Sequence, residues 1–166
     1  MTDRYYDYTR TSCTCVECRN NCKHLSGMVS PLDLLHWQEE QGEDFAAWCL
    51  THLAASPGAL VLLRGQVTRI PTLVPRRLWQ GKCHWLTPQQ RCAIHAAAPF
   101  GCAAFDCTMP KAEADRRSQH VLFEIYADRL TGGPYSRLWD RLHARGQVVR
   151  GPEEARRDLP RGGGTV

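Results

Sequence analysis

Eight of the nine cysteines in this 166-residue chain gather in two dense clusters, and any fold must decide where that much sulfur goes. The first cluster is Cys13, Cys15, Cys18 and Cys22; the second is Cys83, Cys92, Cys102 and Cys107, with His84 and His95 beside them. Thiolates packed this closely repel one another unless a cation lies between them, and soft sulfur selects zinc or iron–sulfur centres over hard cations. The two clusters therefore read as one split metal site that draws distant parts of the chain together.

The alternative use of cysteine is the disulfide, which belongs to oxidising compartments. Met1 to Arg10 is polar and tyrosine-rich and lacks the basic start and apolar run of a secretory signal. The expected location is the cytoplasm, where thiols stay reduced and a cysteine-dense chain holds metal. The odd cysteine count agrees. The apolar stretch Ala59 to Leu63 is far short of the roughly 20 residues that a membrane span requires. A formal charge of +4 is spread over scattered arginines, which fits a solvated surface better than a nucleic-acid face.

The expected fold is a small single domain, mainly α with short irregular or β segments, organised around a cysteine-ligated metal centre. Its parts are a flexible N-terminus at 1–12, a cysteine-cluster metal-binding core at 13–107, C-terminal helices packed on the same domain at 108–147, and a disordered tail at 148–166. Ser30-Pro31-Leu32-Asp33 predicts a capped helix start running through Leu34, Leu35 and Trp37. A second helix follows from Glu43, with Phe45, Trp48, Cys49, His52 and Leu53 on one face, so Cys49 reads as a buried structural thiol. Ser56-Pro57-Gly58 reads as punctuation, and Pro71 and Pro75 favour extended backbone or an edge strand from Arg64 to Arg77. Val121, Leu122, Ile125, Tyr126 and Leu130 predict an amphipathic helix from Lys111, and Tyr135, Leu138, Trp139 and Leu142 another. Trp79 and Trp85 flank Cys83 and read as shields for a centre.

Cys15 and Cys18 form a CxxC pair, the spacing at which two thiolates grip one ion, and Cys22 lies one turn on. On these residues the chain resembles the YkgJ-like cysteine-cluster family, described as zinc- or iron-chelating and defined by CxxCxxCC. Cys15, Cys18, Asn21 and Cys22 fall on the four motif positions. Downstream, Cys92, Ile94, Pro99, Cys102 and Phe105 match the family's C-x-I-Y-x-x-R-P-x-x-C-x-x-F pattern, with Cys83 before it. The likeness runs from about Cys13 to Cys107. Asn21, His95 and Ala98 depart from it, standing where the family has cysteine, tyrosine and arginine.

The resemblance implies Cys15, Cys18, Cys22, Cys83, Cys92 and Cys102 as core metal ligands, with Cys13, Cys107 and His95 as further candidates. Asn21 offers no thiolate, so Cys13 or Cys107 is expected to take its place. Six to eight thiolates exceed what one mononuclear zinc takes, which leaves an iron–sulfur cluster with spare cysteines, or two metal sites sharing the clusters. The expected cofactor is an iron–sulfur cluster, with zinc as the alternative.

Function follows the same division. The favoured reading is a metal-binding module, acting in electron transfer, metal handling or as an accessory to a larger assembly, with a protein partner. The alternative is a metalloenzyme with an open metal position acting on a protein or peptide, and a zinc-ordered nucleic-acid-binding module is weaker still. The sequence carries no phosphate-cradling glycine loop, serine elbow or paired-histidine protease motif.

Overall fold

The computed structural model describes residues 4–11, 13, 15–24, 27–78 and 81–149. About half of the chain is helical, and its β structure is concentrated in one long hairpin where short irregular segments were expected. The elements fold as one small domain around a common core containing Val29, Trp37, Leu53, Leu73, Phe100, Val121, Ile125 and Tyr135. Trp79 and residues 150–166 of the expected tail lie outside the described residues.

Residues expected to be a flexible start contain a small hairpin, β1 (Arg4–Tyr5) and β2 (Tyr8–Thr9). Tyr8 is buried beneath Phe100, with the guanidinium groups of Arg116 and Arg117 at 5.2 and 4.6 Å from its ring centre. Helix α1 (Val16–His24) follows and buries no residue, so its position is set by its ends and its cysteines rather than by an apolar face.

Helix α2 (Pro31–Gln41) starts as the sequence predicts: Ser30 Oγ accepts the Asp33 N–H, and Asp33 Oδ2 accepts the Ser30 N–H at 2.6 Å. A 3-10 turn (Gly42–Asp44) leads into α3 (Phe45–His52), where Cys49 is fully buried. The chain then runs directly into β3 (Leu53–Leu63), which pairs antiparallel with β4 (Gln66–Pro75). Arg64 and Gly65 close the hairpin at φ 48° and 82°, the positive values a tight two-residue hairpin turn requires.

Ser56-Pro57-Gly58 does not end the strand as expected; it forms a bulge, and the register slips between Ser56 and Ala59. Gly58 takes φ 76°, and a Cβ there would stand 1.8 Å from the Ile70 carbonyl oxygen. Pro71 falls opposite this bulge, between Ile70 and Thr72 in the ladder. A residue with no N–H costs nothing there, because no ladder bond is asked of it.

After the second cysteine region come α4 (Phe100–Ala103), α5 (Lys111–Thr131) and α6 (Pro134–Ala144). Gly132 at φ 62° ends α5, and the Asp128 carboxylate caps α6 by accepting the Tyr135 and Ser136 N–H groups. Tyr135 reaches through the core from α6: its hydroxyl donates to the Val29 carbonyl at 2.8 Å and accepts the Leu73 N–H at 2.7 Å. Past α6, the Val149 N–H donates to the Ala55 carbonyl, laying Val148 parallel to the first residues of β3.

Asp33 does more than cap. Its Oδ2 also accepts the Phe100 N–H at 2.9 Å, so one fully buried carboxyl joins the start of α2 to the start of α4. Burial pushes its pKa up to about 8, against the lowering pull of the Phe100 and Ser30 N–H donors. The native state thus keeps a proton on Asp33 where the unfolded chain, with a carboxyl near 3.9, has lost it. The associated stability is fully present below about pH 4 and declines by a few kcal/mol as the pH rises toward 8. Urea unfolding at pH 4, 5.5 and 7 should show this fall in the wild-type protein and a flatter profile in Asp33→Asn. Equal slopes in the two proteins would refute it.

Candidate metal centre

The segment after β2 is stitched onto the region around α4. The Thr11 N–H donates to the Ala103 carbonyl at 2.6 Å, and Arg10 Nη2 donates to the carbonyls of His95 and Ala98 at 2.9 and 3.3 Å. Thr11 Oγ1 donates to Asp106 Oδ2, while Asp106 Oδ1 accepts the Thr108 N–H at 2.9 Å in a side-chain turn that shapes the backbone around Cys107. Arg117 on α5 secures the same loop by donating to the Ala104 carbonyl at 2.7 Å. These bonds lay Cys13 beside Cys107, although 94 positions separate them.

Cys15 precedes α1 and Cys18 lies in its first turn, where the helix N-terminus favours negative charge on sulfur. The result is a quartet: the sulfurs of Cys13, Cys15, Cys18 and Cys107 all lie within 4.8 Å of one another. Cys15 Sγ is 3.3 Å and Cys13 Sγ 3.9 Å from Cys107 Sγ. Four thiolates around one ion at a metal–sulfur distance of about 2.3 Å stand about 3.8 Å apart in a tetrahedron. The observed spacing brackets that value.

Backbone N–H groups point at these sulfurs. The Cys18 N–H donates to Cys15 Sγ at 3.4 Å, the Cys107 N–H to Cys18 Sγ at 3.3 Å, and the Cys15 N–H to Cys13 Sγ. Such donors hold ligand sulfurs in place and spread their charge. That last bond is the main reason the Cys13 pKa lies below the usual thiol value; burial raises that of Cys18, and sharing of a proton with Cys15 raises that of Cys107.

The quartet is open to solvent, with Cys107 exposed and the other three half-buried. Asn21 is exposed on α1. Cys13 and Cys107 complete the group that Cys15 and Cys18 begin. His95 lies outside the quartet, exposed at the start of a 3-10 turn (His95–Ala97).

Cys22, Cys83, Cys92 and Cys102 lie outside the quartet. Cys22 lies one helical turn past Cys18 on the same face of α1, and its sulfur is not in the group within 4.8 Å. The Cys83 N–H donates to the Cys22 carbonyl at 2.9 Å. From Cys83 the chain forms a tight loop: Leu86 bridges Cys92, the Ala93 N–H donates to the Trp85 carbonyl, and the Thr87 N–H donates to the Arg91 carbonyl. Cys102 enters on α4, which is pressed against Gly27 and Met28: the Gly101 N–H donates to the Met28 carbonyl at 2.8 Å. A Cβ on Gly101 would stand 2.2 Å from the Met28 nitrogen, and one on Gly27 would stand 2.3 Å from the Gly101 carbonyl carbon.

His84 turns away from a ligand's role. Its ring packs 5.0 Å from His52 and 4.4 Å from Trp85, and burial pushes its pKa down to about 4, helped by the nearby His52 and Arg76 charges. It is neutral at neutral pH. Trp85 is buried against Trp37 and Trp48 and covers the flank of Cys83.

What the cysteine pattern hid was the partition among sulfurs and the glycine contact that places Cys102. Gly27 and Gly101, each isolated and close in sequence to a cysteine, were the available signal for the second. No described helix is long and apolar enough to cross a membrane. Compared with protein-family models, curated proteins and solved structures, the chain matches none.

Proposed function

We propose that this chain is a metal–thiolate binding module whose surface quartet, Cys13, Cys15, Cys18 and Cys107, holds one soft metal ion. The observation that carries this reading is the convergence of four sulfurs within 4.8 Å from two ends of the core. Their spacing suits a single tetrahedral ion, which makes zinc the first choice at this position. In an iron–sulfur cluster the cysteines bind different irons and stand further apart, so that form requires the quartet to widen. The quartet also supports treating the chain as a divergent YkgJ-like protein in which Cys13 and Cys107 stand in for the cysteine that Asn21 replaces.

Four protein thiolates leave no coordination position for substrate, and this favours binding over catalysis. An exposed ion held only by thiolates is accessible to a partner's thiols, since exchange proceeds by attack from outside. Metal handling with a protein partner in the reducing cytoplasm is therefore the role that best fits the site. The chemistry the ion supplies is cross-linking: it fastens the start of α1 to the loop before α5 and offsets the charge of four sulfurs.

Anaerobic purification, elemental analysis and absorption spectroscopy test this directly. A colourless protein containing zinc is expected, and Cys15→Ser with Cys18→Ser should remove about one equivalent per chain. Unchanged metal content in that double variant sinks the assignment, and a brown protein with paired iron and sulfide replaces zinc with a cluster. Chelation should also lower thermal stability, by about 4 kcal/mol where free metal had stood at a thousand times its dissociation constant.

A further inference from the structure

We propose that the surface quartet is also a redox switch: a peroxide joins Cys15 to Cys107 as a disulfide, which expels the bound ion and leaves a covalent tie in its place. Release of the ion rests on the metal-binding reading above, whereas the bond rests on the placement of the two sulfurs. Cys15 Sγ stands 3.3 Å from Cys107 Sγ, so roughly 1.3 Å separates the observed pair from a disulfide of about 2.04 Å. Each sulfur moves by turning one side-chain torsion, so the approach asks little of the backbone.

Both backbones are held for this approach. The Cys15 carbonyl accepts the Arg19 N–H at 3.1 Å and Arg19 Nε–H at 3.3 Å, which anchors Cys15 to the first turn of α1. On the other side, Asp106 Oδ1 accepts the Thr108 N–H and hydroxyl at 2.9 and 2.7 Å, fixing the turn that carries Cys107. The Cys107 N–H donates to Cys18 Sγ at 3.3 Å and so fixes that turn against α1. The pair is therefore preset by protein contacts, across 92 positions of sequence.

Access selects the same pair. Of the nine cysteines Cys107 is the exposed one, and Cys49 and Cys83 are buried. Oxidation to a disulfide needs a sulfur that solvent reaches and a second thiol at hand to resolve the first product. Cys107 meets both conditions. Its sulfur attacks one oxygen of hydrogen peroxide: an S–O bond forms, the O–O bond breaks, and the hydroxide that leaves takes the thiol proton as water. The Cys15 sulfur then attacks the sulfenic sulfur: the S–S bond forms, the S–O bond breaks, and the second oxygen leaves as water with the Cys15 proton. Two electrons pass from the two sulfurs to the peroxide; in the loaded site, where both thiols have already given up their protons, solvent supplies them.

Cys13 and Cys18 then offer two sulfurs where a closed zinc site takes four, so the ion departs. The new bond joins the start of α1 to the loop before α5, the same segments the ion fastened, and a link closing so long a loop restricts the unfolded chain. Oxidation thus unloads the site without freeing its segments. A dithiol reverses it by attack on the exposed Cys107 sulfur.

Reduced full-length protein, one portion loaded with zinc and one stripped by chelator, is treated with stoichiometric hydrogen peroxide, and its free thiols are then blocked. Peptide mapping by mass spectrometry should place the first disulfide between Cys15 and Cys107 in both portions, with two thiols lost per chain. The loaded portion should pass its zinc to a chromogenic chelator, and dithiothreitol should restore both thiols and zinc uptake. Cys107→Ser should abolish the bond; if that variant does not fold, the wild-type map decides alone. A first disulfide anywhere else, the CxxC pair Cys15–Cys18 included, or an unchanged thiol count overturns the proposal. A protein that binds zinc and keeps both its ion and its thiols under peroxide has the metal site without the switch. One that forms the Cys15–Cys107 bond but never bound zinc keeps the disulfide and loses the metal-binding reading.

Discussion

Tyr135→Phe is expected to cost about 2–5 kcal/mol although it removes a single oxygen atom. The ring stays buried and its packing is conserved, so almost none of the loss is hydrophobic. What changes is the hydroxyl, which donates to the Val29 carbonyl and accepts the Leu73 N–H inside the core. Phenylalanine leaves both backbone groups without that partner in a place water does not reach, and each such vacancy costs about 1–3 kcal/mol. Val29 and Leu73 are also bridged directly, by the Val29 N–H donating to the Leu73 carbonyl at 2.8 Å. The variant therefore loosens the join between β4 and the segment entering α2. Thermal melting should show a drop of about 5–15 °C for a domain of this size. A loss below 1 kcal/mol would mean that the join carries little of the stability assigned to it.

Gly101→Ala should be comparably damaging for a different reason. The added methyl would stand 2.2 Å from the Met28 nitrogen and 2.7 Å from the Gly27 carbonyl carbon, and these are backbone atoms that cannot rotate aside. Helix α4 must shift, straining the Phe100 N–H bond to Asp33. A loss of about 3 kcal/mol or more is expected from overpacking of this kind. Gly132→Ala offers the contrast: it occupies left-handed backbone at φ 62° with open space around it, so its cost is conformational, about 1 kcal/mol. Guanidinium unfolding of the two variants should rank them in that order. Similar midpoints would argue that Gly101 is chosen only for its conformation.

The helices were legible because their signals are local. Ser30, Pro31 and Asp33 announce the start of α2, and the apolar spacing from Val121 onward describes α5. The long hairpin was not, since Ser56-Pro57-Gly58 carries every local mark of a break. Only the opposing strand, which supplies Pro71 across the bulge, shows that the chain can pass through without stopping. The cysteines were visible as candidate metal ligands, but their grouping was not. Sequence proximity assigns Cys22 to Cys15 and Cys18, while the structure leaves it out of their group. Cys107 illustrates the converse, joining Cys13 and Cys15 through bonds made by Thr11, Arg117 and Asp106 that no spacing rule encodes.

The meeting of Cys18 with Cys107 also sets a timetable for biosynthesis. At about 5–20 residues per second, the ribosome delivers the last member of the surface group roughly 5–20 s after the CxxC pair has emerged. Throughout that interval the early thiols are incomplete as a chelate and exposed to oxidants or to stray ions. On the proposed reading, metal insertion is a late event for the nascent polypeptide, because the group is complete only once translation has passed the loop before α5.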